Sequence, residues 1–259
     1  MKIGFFGAGH MGTAMIQGFI ASGKVQPENI LVKGGRSKTA ANRQKELGFT
    51  LIDQLEDLAE TSLLIVAVNP AAVLPIIQSL PAAVIEKKIP LVSVAAGVDL
   101  AEMAEVLGKD YPLAHCIPNT PVSVNEGVLG ISYSEQLTTD DKETIDQSLQ
   151  LLGTLVEIDE PLLGIVGSVA GCGPAFVDLF IEALSDAGVF YGLNRDLSYQ
   201  IAQQMLKGAA ELALQSKKHP GELKDGVATP GGTTIKGVVA LEKYGFRNAV
   251  IEGVKGTME

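Results

Sequence analysis

The most constraining feature of this sequence is a glycine pattern, GAGHMG, placed directly between a first strand-like run, KIGFF, and a helix-like segment. In that context Gly7 permits a tight turn, Gly9 lets a pyrophosphate approach the backbone, and Gly12 lets the helix pack closely on the strand. The N-terminus of the helix then offers free amides to phosphate groups, beside His10 and Met11. The pattern predicts a dinucleotide-binding unit at the start of the chain, although glycine-rich turns without a ligand share this context.

Apolar runs of strand length alternate with helix-like segments as far as about residue 158. The runs are KIGFF, NILVK, SLLIVAV, IPLVSVAA, YPLAHCI, GVLGISY and TLVEI. Continuous apolar strands indicate a sheet that is covered on both faces, and residues 11–22, 39–47, 70–80 and 100–107 are long enough for crossover helices. The economical interpretation is a parallel, doubly wound sheet of the Rossmann type.

The pattern becomes helical after Asp159-Glu160-Pro161. Residues 173–192 and 195–218 repeat apolar side chains at three- and four-residue spacing, with more apolar surface than this half of the chain can cover by itself. We therefore predict an α/β protein with two domains. Residues 1–160 form the doubly wound dinucleotide-binding domain, and residues 161–259 form an all-α domain that joins the chain into a homodimer or a higher homo-oligomer.

The end of the second strand indicates which dinucleotide binds. An NAD site usually places an acidic residue there to hold the ribose 2′-hydroxyl, but no acid occurs between Asn29 and Gln44. Arg36, Ser37 and Lys38 stand there instead and could pair with a 2′-phosphate. We predict NADPH as the cofactor, with NADH as the alternative if Arg36 and Lys38 are only solvated residues of the next helix.

Three further strand ends are candidate cofactor contacts, because ligands of such sheets lie outside the carboxyl ends of the strands. The candidates are Val68, Asn69 and Pro70 after the third run, Ala95, Ala96 and Gly97 after the fourth, and Pro118 and Asn119 after the fifth. In the last of these, Pro118 and Pro121 stiffen a loop that presents Asn119 and Thr120. The alternative is a proline-rich turn in which Asn119 satisfies itself.

The charge balance argues against polyanionic partners. The chain has 20 Lys and Arg against 30 Asp and Glu, a net charge of -10, which repels nucleic acid and anionic lipid surfaces alike. The longest uncharged run, residues 61–85, is interrupted by Asn69 and three prolines and is predicted to form a strand and a short helix. Together with the absence of a signal-like N-terminus, this predicts a soluble cytoplasmic protein with no membrane partner.

Neither the cysteines nor the histidines indicate catalysis. Cys116 and Cys172 form no metal-ligand pair and no disulfide framework, so no metal is predicted. His10, His115 and His219 have no carboxylate at a suggestive spacing in the sequence. We expect ordinary structural roles for all three.

Several stretches together resemble the pyrroline-5-carboxylate reductases. They are GAGHMG, SVAAGV, IPNTP, AGCGPAFVDLFIEALSDAGVFYGLNRDLSYQIA and HPGELKDGVATPGGTTIKGVVALEKYGFR. The most specific part is ELKD at 222–225, followed by TPGGTT at 229–234 and Gly237. The resemblance covers nearly the whole chain. It implies a Rossmann domain, a helical domain that interlocks in a dimer, and hydride transfer from NAD(P)H to the ring C=N carbon of the substrate in the last step of proline biosynthesis.

The resemblance gives the loop at residues 229–234 a role. Gly231, Gly232 and the amide of Thr233 are expected to hold the substrate carboxylate at a helix N-terminus, where the helix dipole favours an anion. The hydroxyl of Thr234 is expected to address the ring nitrogen as the catalytic contact. Thr229, Asn119 and Cys172 complete the expected substrate site. The alternative is a Thr N-cap on a tight turn.

The sequence departs from the family at three places. His115 stands where the family commonly has Arg, Asn69 where it has Lys, and AGCGP at 170–174 where it has SGSGP. Two other functions therefore stay open. One is a related imine reductase or β-hydroxyacid-type dehydrogenase, with Lys207 or Lys217 as proton donor, and the other is a non-catalytic dinucleotide-binding regulator.

Overall fold

The computed structural model describes residues 1–35 and 37–258. The chain divides into two compact units, Met1–Gly171 and Cys172–Glu259. The segment from residue 160 to 171 thus clusters with the first unit, whereas the sequence interpretation grouped it with the helical half. The domain boundary at residue 160 stays a prediction.

The first unit is built on one sheet, to which the described residues contribute eight strands in the order β3-β2-β1-β4-β5-β6-β7-β8. The strands are β1 (Ile3–Phe6), β2 (Ile30–Lys33), β3 (Thr50–Leu51), β4 (Leu63–Val66), β5 (Leu91–Ser93), β6 (Leu113–Ile117), β7 (Gly127–Tyr133) and β8 (Gly153–Glu157). The helices are α1 (His10–Ala21), α2 (Thr39–Leu47), α3 (Pro70–Gln78), α4 (Ala82–Glu86), α5 (Leu100–Leu107), α6 (Thr139–Leu149) and α7 (Leu163–Val166). The uncharged run at 61–85 folds as β4, α3 and part of α4, in agreement with the prediction.

The strand order places the glycine-rich turn at the switch point of the sheet. β1 pairs in parallel with β2 on one side and with β4 on the other, so that Ile3 lies opposite both Ile30 and Leu63. The order of the strands along the chain reverses at β1, which opens a crevice at the carboxyl ends of β1 and β4. The turn after β1 therefore lies where a doubly wound sheet binds its ligand.

The central strands β1 and β4 are buried on both faces of the sheet, as the continuous apolar runs predicted, whereas β3 and most of β8 are exposed. Alternate residues of β4 enter two different core clusters: Leu63 and Ile65 one, Leu64 and Val66 the other. Within the first cluster the rings of Phe5 and Phe19 meet edge to face, with their centroids 6.1 Å apart. This contact packs α1 directly onto β1.

Two features of the sheet correct the expectation from the sequence. β7 runs antiparallel to β6, with Ala114 opposite Tyr133, whereas the expected sheet was parallel. The short connection between these strands contains one 3₁₀ turn, Thr120–Val124, and no crossover helix, and only an antiparallel pair can be joined in this way. The two-residue strand β3 was not predicted, because both of its residues are exposed and carry no burial pattern.

The second unit is helical. Its helices are α8 (Gly173–Phe190), α9 (Arg195–Ser216), α10 (Pro220–Val227), α11 (Thr233–Lys243) and α12 (Phe246–Lys255). α8 and α9 approach closely at Gly188, where an added Cβ would lie 2.0 Å from the Ser198 hydroxyl. That hydroxyl donates to the Ser185 carbonyl at 3.0 Å, and the Asn194 side chain caps the start of α9. The two longest helices are therefore joined by small residues and hydrogen bonds.

The apolar faces of the second unit are largely uncovered in the single chain. Among its described helical residues only Ser185, Ser198 and Ala202 are buried, while Leu179, Phe190 and Leu214 are 64%, 82% and 74% exposed. Within the described residues, the helical stretch Glu160–Phe190 is also long and apolar enough to cross a membrane, with a mean hydropathy of 1.7. Length and composition alone are weak evidence for a span, because an apolar helix covered by protein passes the same test.

Candidate active site

The turn after β1 has the geometry that its three glycines predict. Gly7 has a φ of +90°, and a Cβ there would lie 2.6 Å from the Ala67 carbonyl oxygen. A Cβ on Gly12 would lie 2.7 Å from the Gly7 carbonyl oxygen, so the third glycine allows α1 to pack against the turn. No described atom lies within 4 Å of a Cβ added to Gly9. The backbone at the second glycine is therefore open to a ligand.

A cleft of about 510 Å³ lies beside this turn. Its lining residues come from the turn, from the start of α2 and from the end of β4: Gly7, Ala8, Gly9, His10, Met11, Gly35, Ser37, Thr39, Ala40, Ala67, Val68, Asn69, Ala72 and Val94. Gly9 caps α1 without a side-chain hydrogen bond, and the first turn of α1 contains no acid. The first amides of α1 are thus available to an anion, which fits the pyrophosphate of a dinucleotide.

Some of the predicted cofactor residues line this cleft, and the others lie elsewhere. Gly7, Gly9, His10, Met11, Ser37, Val68 and Asn69 line the cleft. Gly12 is buried in α1, Pro70 begins α3, and Lys38 is exposed at the N-cap of α2. Arg36 lies outside the described residues. Thr39, which the sequence interpretation did not select, lines the cleft with its neighbour Ser37, and its position at the start of α2 was the signal that could have identified it.

The loop after β5 borders a second cavity of about 380 Å³. The cavity is lined by Ala96, Gly97, Val98, Asp99, Glu102, His115, Ile117, Glu160, Pro161, Leu163 and Gly164. Gly97 has a φ of +84°, a conformation that favours glycine, and both Ala96 and Gly97 are exposed. Ala95 is buried.

His115 has a carboxylate partner that its position in the sequence did not reveal. Its Nδ1 lies 2.9 Å from Oε1 of Glu160, and its Nε2 lies 3.1 Å from the Ala95 carbonyl oxygen. The two residues are 45 positions apart, so no local spacing could indicate the pair. The structure therefore adds a carboxylate partner that the sequence spacing could not indicate, and the expected structural role of His115 stays a prediction.

Pro118 and Asn119 are both buried in the loop that follows β6. The Asn119 side chain accepts from the Val128 amide at 2.8 Å and donates to the Ala170 carbonyl at 2.9 Å. These bonds match the alternative in which the asparagine is satisfied by the protein itself. Its contribution to substrate or cofactor binding stays a prediction.

The two cysteines occupy different environments. Cys116 is fully enclosed in β6, and this burial raises the pKa of its thiol far above the usual value, because a thiolate is disfavoured in apolar surroundings. Cys172 is partly exposed directly before α8. Within the described residues, no three His, Cys, Asp or Glu side chains are grouped so that they could hold a metal ion.

In the second unit, the loop at residues 229–234 leads into an uncapped helix. Gly231 has a φ of +69°, and the Gly232 amide donates to the Thr229 carbonyl at 3.0 Å. A Cβ on Gly232 would lie 2.3 Å from the Thr229 hydroxyl oxygen, so a side chain there would require the Thr229 side chain to move. Gly232 is the N-cap of α11 and provides no side chain to satisfy the first amides of the helix.

The mouth of α11 can therefore bind a small anion. Thr233 and Thr234 are the first two residues of the helix, both are exposed, and the first turn contains no acid. Free amides and the positive end of the helix dipole favour a carboxylate at this point. The two hydroxyls stand next to that anion site and can hydrogen-bond a second group of the same ligand.

Comparisons with known proteins agree with this arrangement. Residues 160–259 match the family model described as pyrroline-5-carboxylate reductase dimerisation, and residues 2–97 match the model described as NADP oxidoreductase, coenzyme F420-dependent. The pyrroline-5-carboxylate reductase of Escherichia coli strain K12 is 37% identical over 259 residues, which cover 100% of this chain and 96% of that protein. The enzyme of the same name from Arabidopsis thaliana is 36% identical over 263 residues, covering 100% and 95%.

A solved structure extends the similarity to three dimensions. The crystal structure of Plasmodium falciparum pyrroline carboxylate reductase with NADP bound has a TM-score of 0.85 and 31% sequence identity to this chain. The match covers 99% of this chain and 95% of that one. The likeness therefore includes both compact units.

Proposed function

Because this chain belongs to the pyrroline-5-carboxylate reductase family, we infer that it reduces 1-pyrroline-5-carboxylate to L-proline with NADPH. The uncapped start of α11, with Gly231 and Gly232 before it and two hydroxyls on its first turn, is the geometric feature that supports this activity best. A cyclic imine acid presents one carboxylate and one C=N group. The loop offers an anion site and a hydroxyl to match them.

Different residues of the loop bind the substrate carboxylate and align the ring nitrogen. The Thr233 amide holds the substrate carboxylate, which Gly231 and Gly232 allow to approach the backbone, and the Thr234 hydroxyl hydrogen-bonds the ring nitrogen while the imine becomes an amine. Thr229 supports the turn, and Asn119 and Cys172 complete the proposed substrate contacts. When bound, NADPH supplies the hydride for the ring carbon. A protonated imine is already an electrophile, so the protein needs to align it and stabilise its charge rather than provide a nucleophile.

The cleft of the first unit is the proposed cofactor site. Gly7, Gly9, His10, Met11 and Gly12 receive the pyrophosphate, while Arg36, Ser37 and Lys38 are assigned to the 2′-phosphate. Val68, Asn69 and Pro70, together with Ala95, Ala96, Gly97, Pro118 and Asn119, complete the proposed contacts with the rest of the dinucleotide. Ser37 and Asn69 both line the cleft, Ser37 just before α2 and Asn69 as the N-cap of α3.

The two alternative functions are less well supported. Lys207 lies exposed in the middle of α9, and Lys217 lies exposed just after its end with a φ of +54°. Neither stands in a motif that a β-hydroxyacid-type dehydrogenase would require. A non-catalytic regulator would need no hydroxyls at the mouth of α11, yet both are present.

The activity is tested on the purified wild-type chain. NADPH absorbance at 340 nm should fall on addition of pyrroline-5-carboxylate, and L-proline should appear in equal amount. A β-hydroxyacid with NADP⁺ serves as the control for the dehydrogenase alternative. Cofactor binding without turnover of either substrate would favour the regulator and contradict the proposal.

The assignment of Arg36 predicts a cofactor-specific effect. Arg36→Ala should weaken NADPH binding by roughly 1 to 3 kcal/mol and leave NADH binding nearly unchanged, since only NADPH carries the 2′-phosphate. Arg43→Ala is the matched control, because Arg43 lies in α2 and pairs with Glu46 at 2.8 Å. Fluorescence titration with both cofactors measures the difference, and an equal loss for NADPH and NADH would rule out the assignment.

The assembly follows from the second unit. The family model that matches this region describes dimerisation, and the chain forms a homo-oligomer through its helical unit. We assign the apolar surface of α8 and α9 to the subunit interface and not to a membrane. We also propose that the enzyme resides in the cytoplasm.

A further inference from the structure

Two side chains hold the loop between β5 and α5 at both of its ends. The Nε2 of His115, on β6, lies 3.1 Å from the Ala95 carbonyl oxygen at the start of the loop. At the other end, Oε1 of Glu160 accepts a hydrogen bond of 2.8 Å from the Leu100 amide, the first residue of α5. The same Oε1 lies 2.9 Å from Nδ1 of His115. One imidazole and one carboxylate thus connect both ends of a single loop.

Both nitrogens of the His115 ring have a partner. A carbonyl oxygen only accepts, so Nε2 must donate to Ala95. Nδ1 on the other side of the ring faces the Glu160 oxygen, and the two contacts together fix the orientation of the ring. The His115 side chain is 6% exposed and the Glu160 side chain 25%, so the contact is partly shielded from water. An ion pair of this kind is weak evidence for stability, and a role in positioning is the better explanation.

The charged groups nearest to the pair are already engaged elsewhere. Asp99 and Glu102 line the same cavity, but they form the capping box of α5. The Glu102 carboxylate accepts from the Asp99 amide at 3.0 Å, and the Asp99 carboxylate accepts from the Glu102 amide at 2.8 Å. Among the described residues that line the cavity, Glu160 is therefore the one whose carboxylate pairs with the His115 ring.

The tethered loop presents a short exposed tip. Ala95 and Val98 are buried, while Ala96 and Gly97 between them are exposed. The Ala95 amide lies 3.4 Å from the Ser93 hydroxyl, so both backbone polar groups of Ala95 are engaged. The tip stands at the carboxyl end of β5, the edge of the sheet where a doubly wound fold binds its ligand.

We propose that His115 and Glu160 are positioning residues that hold the tip at Ala96 and Gly97 in place for NADPH binding. This proposal rests on the proposed function, because it assumes that this end of the sheet receives the cofactor. The pair acts through the backbone of residues 95–100, whose tip is assigned to the cofactor and not to the substrate. Its loss therefore affects the cofactor more than the substrate.

Four variants of the full-length chain test the proposal. His115→Ala removes the bond to Ala95, and His115→Arg supplies several donors that can replace it. Glu160→Gln keeps an acceptor for the Leu100 amide, and a neutral imidazole can still donate from Nε2 to Ala95, so both ends of the loop stay held. Lys142→Gln is the matched control, because it breaks another ion pair of the same unit, with Asp146 at 2.9 Å.

The expected results distinguish a positioning role of His115 and Glu160 from a general effect on the stability of the protein. His115→Ala should raise the Kd and KM for NADPH by roughly 3- to 10-fold, the range for one lost hydrogen bond, while the KM for pyrroline-5-carboxylate stays unchanged. Hydrogen–deuterium exchange at the amides of residues 96–100 should become faster in His115→Ala and stay near the wild-type rate in Glu160→Gln and Lys142→Gln. His115→Arg should recover most of the NADPH affinity.

The proposal is overturned if exchange in this loop is the same in His115→Ala as in the wild type. It is equally overturned if kcat falls with no change in the Kd for NADPH, because a merely structural role would reduce only the fraction of active enzyme. Should His115→Ala fail to fold, the NADPH affinities of Glu160→Gln and His115→Arg decide, since weak binding by both would contradict the argument. Hydrogen–deuterium exchange and NADPH affinity are both measured without substrate. A failure of this proposal can therefore be distinguished from a failure of the proposed reaction, which the wild-type assay tests.

Discussion

Replacing Thr234 with alanine is expected to lower kcat/KM for pyrroline-5-carboxylate by roughly 10- to 150-fold and to leave the affinity for NADPH unchanged. The Thr234 hydroxyl is the proposed partner of the ring nitrogen, whose charge and hydrogen-bonding change during the reaction. Loss of such a contact acts mainly on the transition state. Steady-state kinetics on the variant, with NADPH affinity checked by fluorescence, measures both quantities.

The position of Thr234 makes this test easy to interpret. Thr234 is an exposed residue on the first turn of α11, so its removal leaves no cavity, and alanine is a good helix former. Thr233→Ala is the matched control, and it should cost less because the Thr233 amide survives. Thr234→Ser should recover much of the activity, since it retains a hydroxyl. If Thr234→Ala keeps a near-normal kcat/KM, the loop only holds the carboxylate and another group must address the nitrogen.

The second large effect is expected from Phe180→Asp, which should yield aggregated or inactive protein without a soluble native dimer. Phe180 lies on α8 and packs against Phe246 of α12, with ring centroids 5.7 Å apart. The unit that contains both rings buries almost no side chains within a single chain, so its stability depends on covering this apolar surface. An unpaired carboxylate placed there carries a large desolvation cost.

Size-exclusion chromatography with light scattering, together with the reductase assay, measures the outcome for Phe180→Asp. Glu182→Gln is the matched control, because it changes an exposed charge on the same helix. It should remain an active dimer. A soluble Phe180→Asp monomer with full activity would contradict the role of the helical unit in assembly.

Local patterns were sufficient for much of the fold. The helices predicted at 39–47 and 100–107 have the observed bounds of α2 and α5, and α1 begins one residue before the predicted start. The strand runs are confirmed in the same way, since apolar residues that are continuous in the sequence are buried on both faces of the sheet. These predictions succeeded because strand burial, crossover length and glycine conformation depend on residues that are neighbours in the chain.

Predictions that involve distant residues were less complete. The direction of β7 depends on its short connection to β6, whereas the expected sheet was parallel. The sequence left open whether Asn119 binds a ligand or is satisfied by the protein, and its amide group meets Ala170, 51 positions further along the chain. Neither the direction of β7 nor the contact between Asn119 and Ala170 leaves a periodic signal in the sequence.

The sequence by itself therefore determined the dinucleotide turn at Gly7, Gly9 and Gly12, the helical second half, and the uncapped Gly231-Gly232 turn before Thr234. Each is a short segment whose backbone conformation follows from its own residues. Only the tertiary structure decided that β7 is antiparallel and that His115 meets Glu160 beneath the loop after β5. The physical reason is that strand direction and side-chain pairs such as His115 and Glu160 depend on how distant segments pack in the folded sheet, and the separation of those segments in the sequence carries no record of that approach.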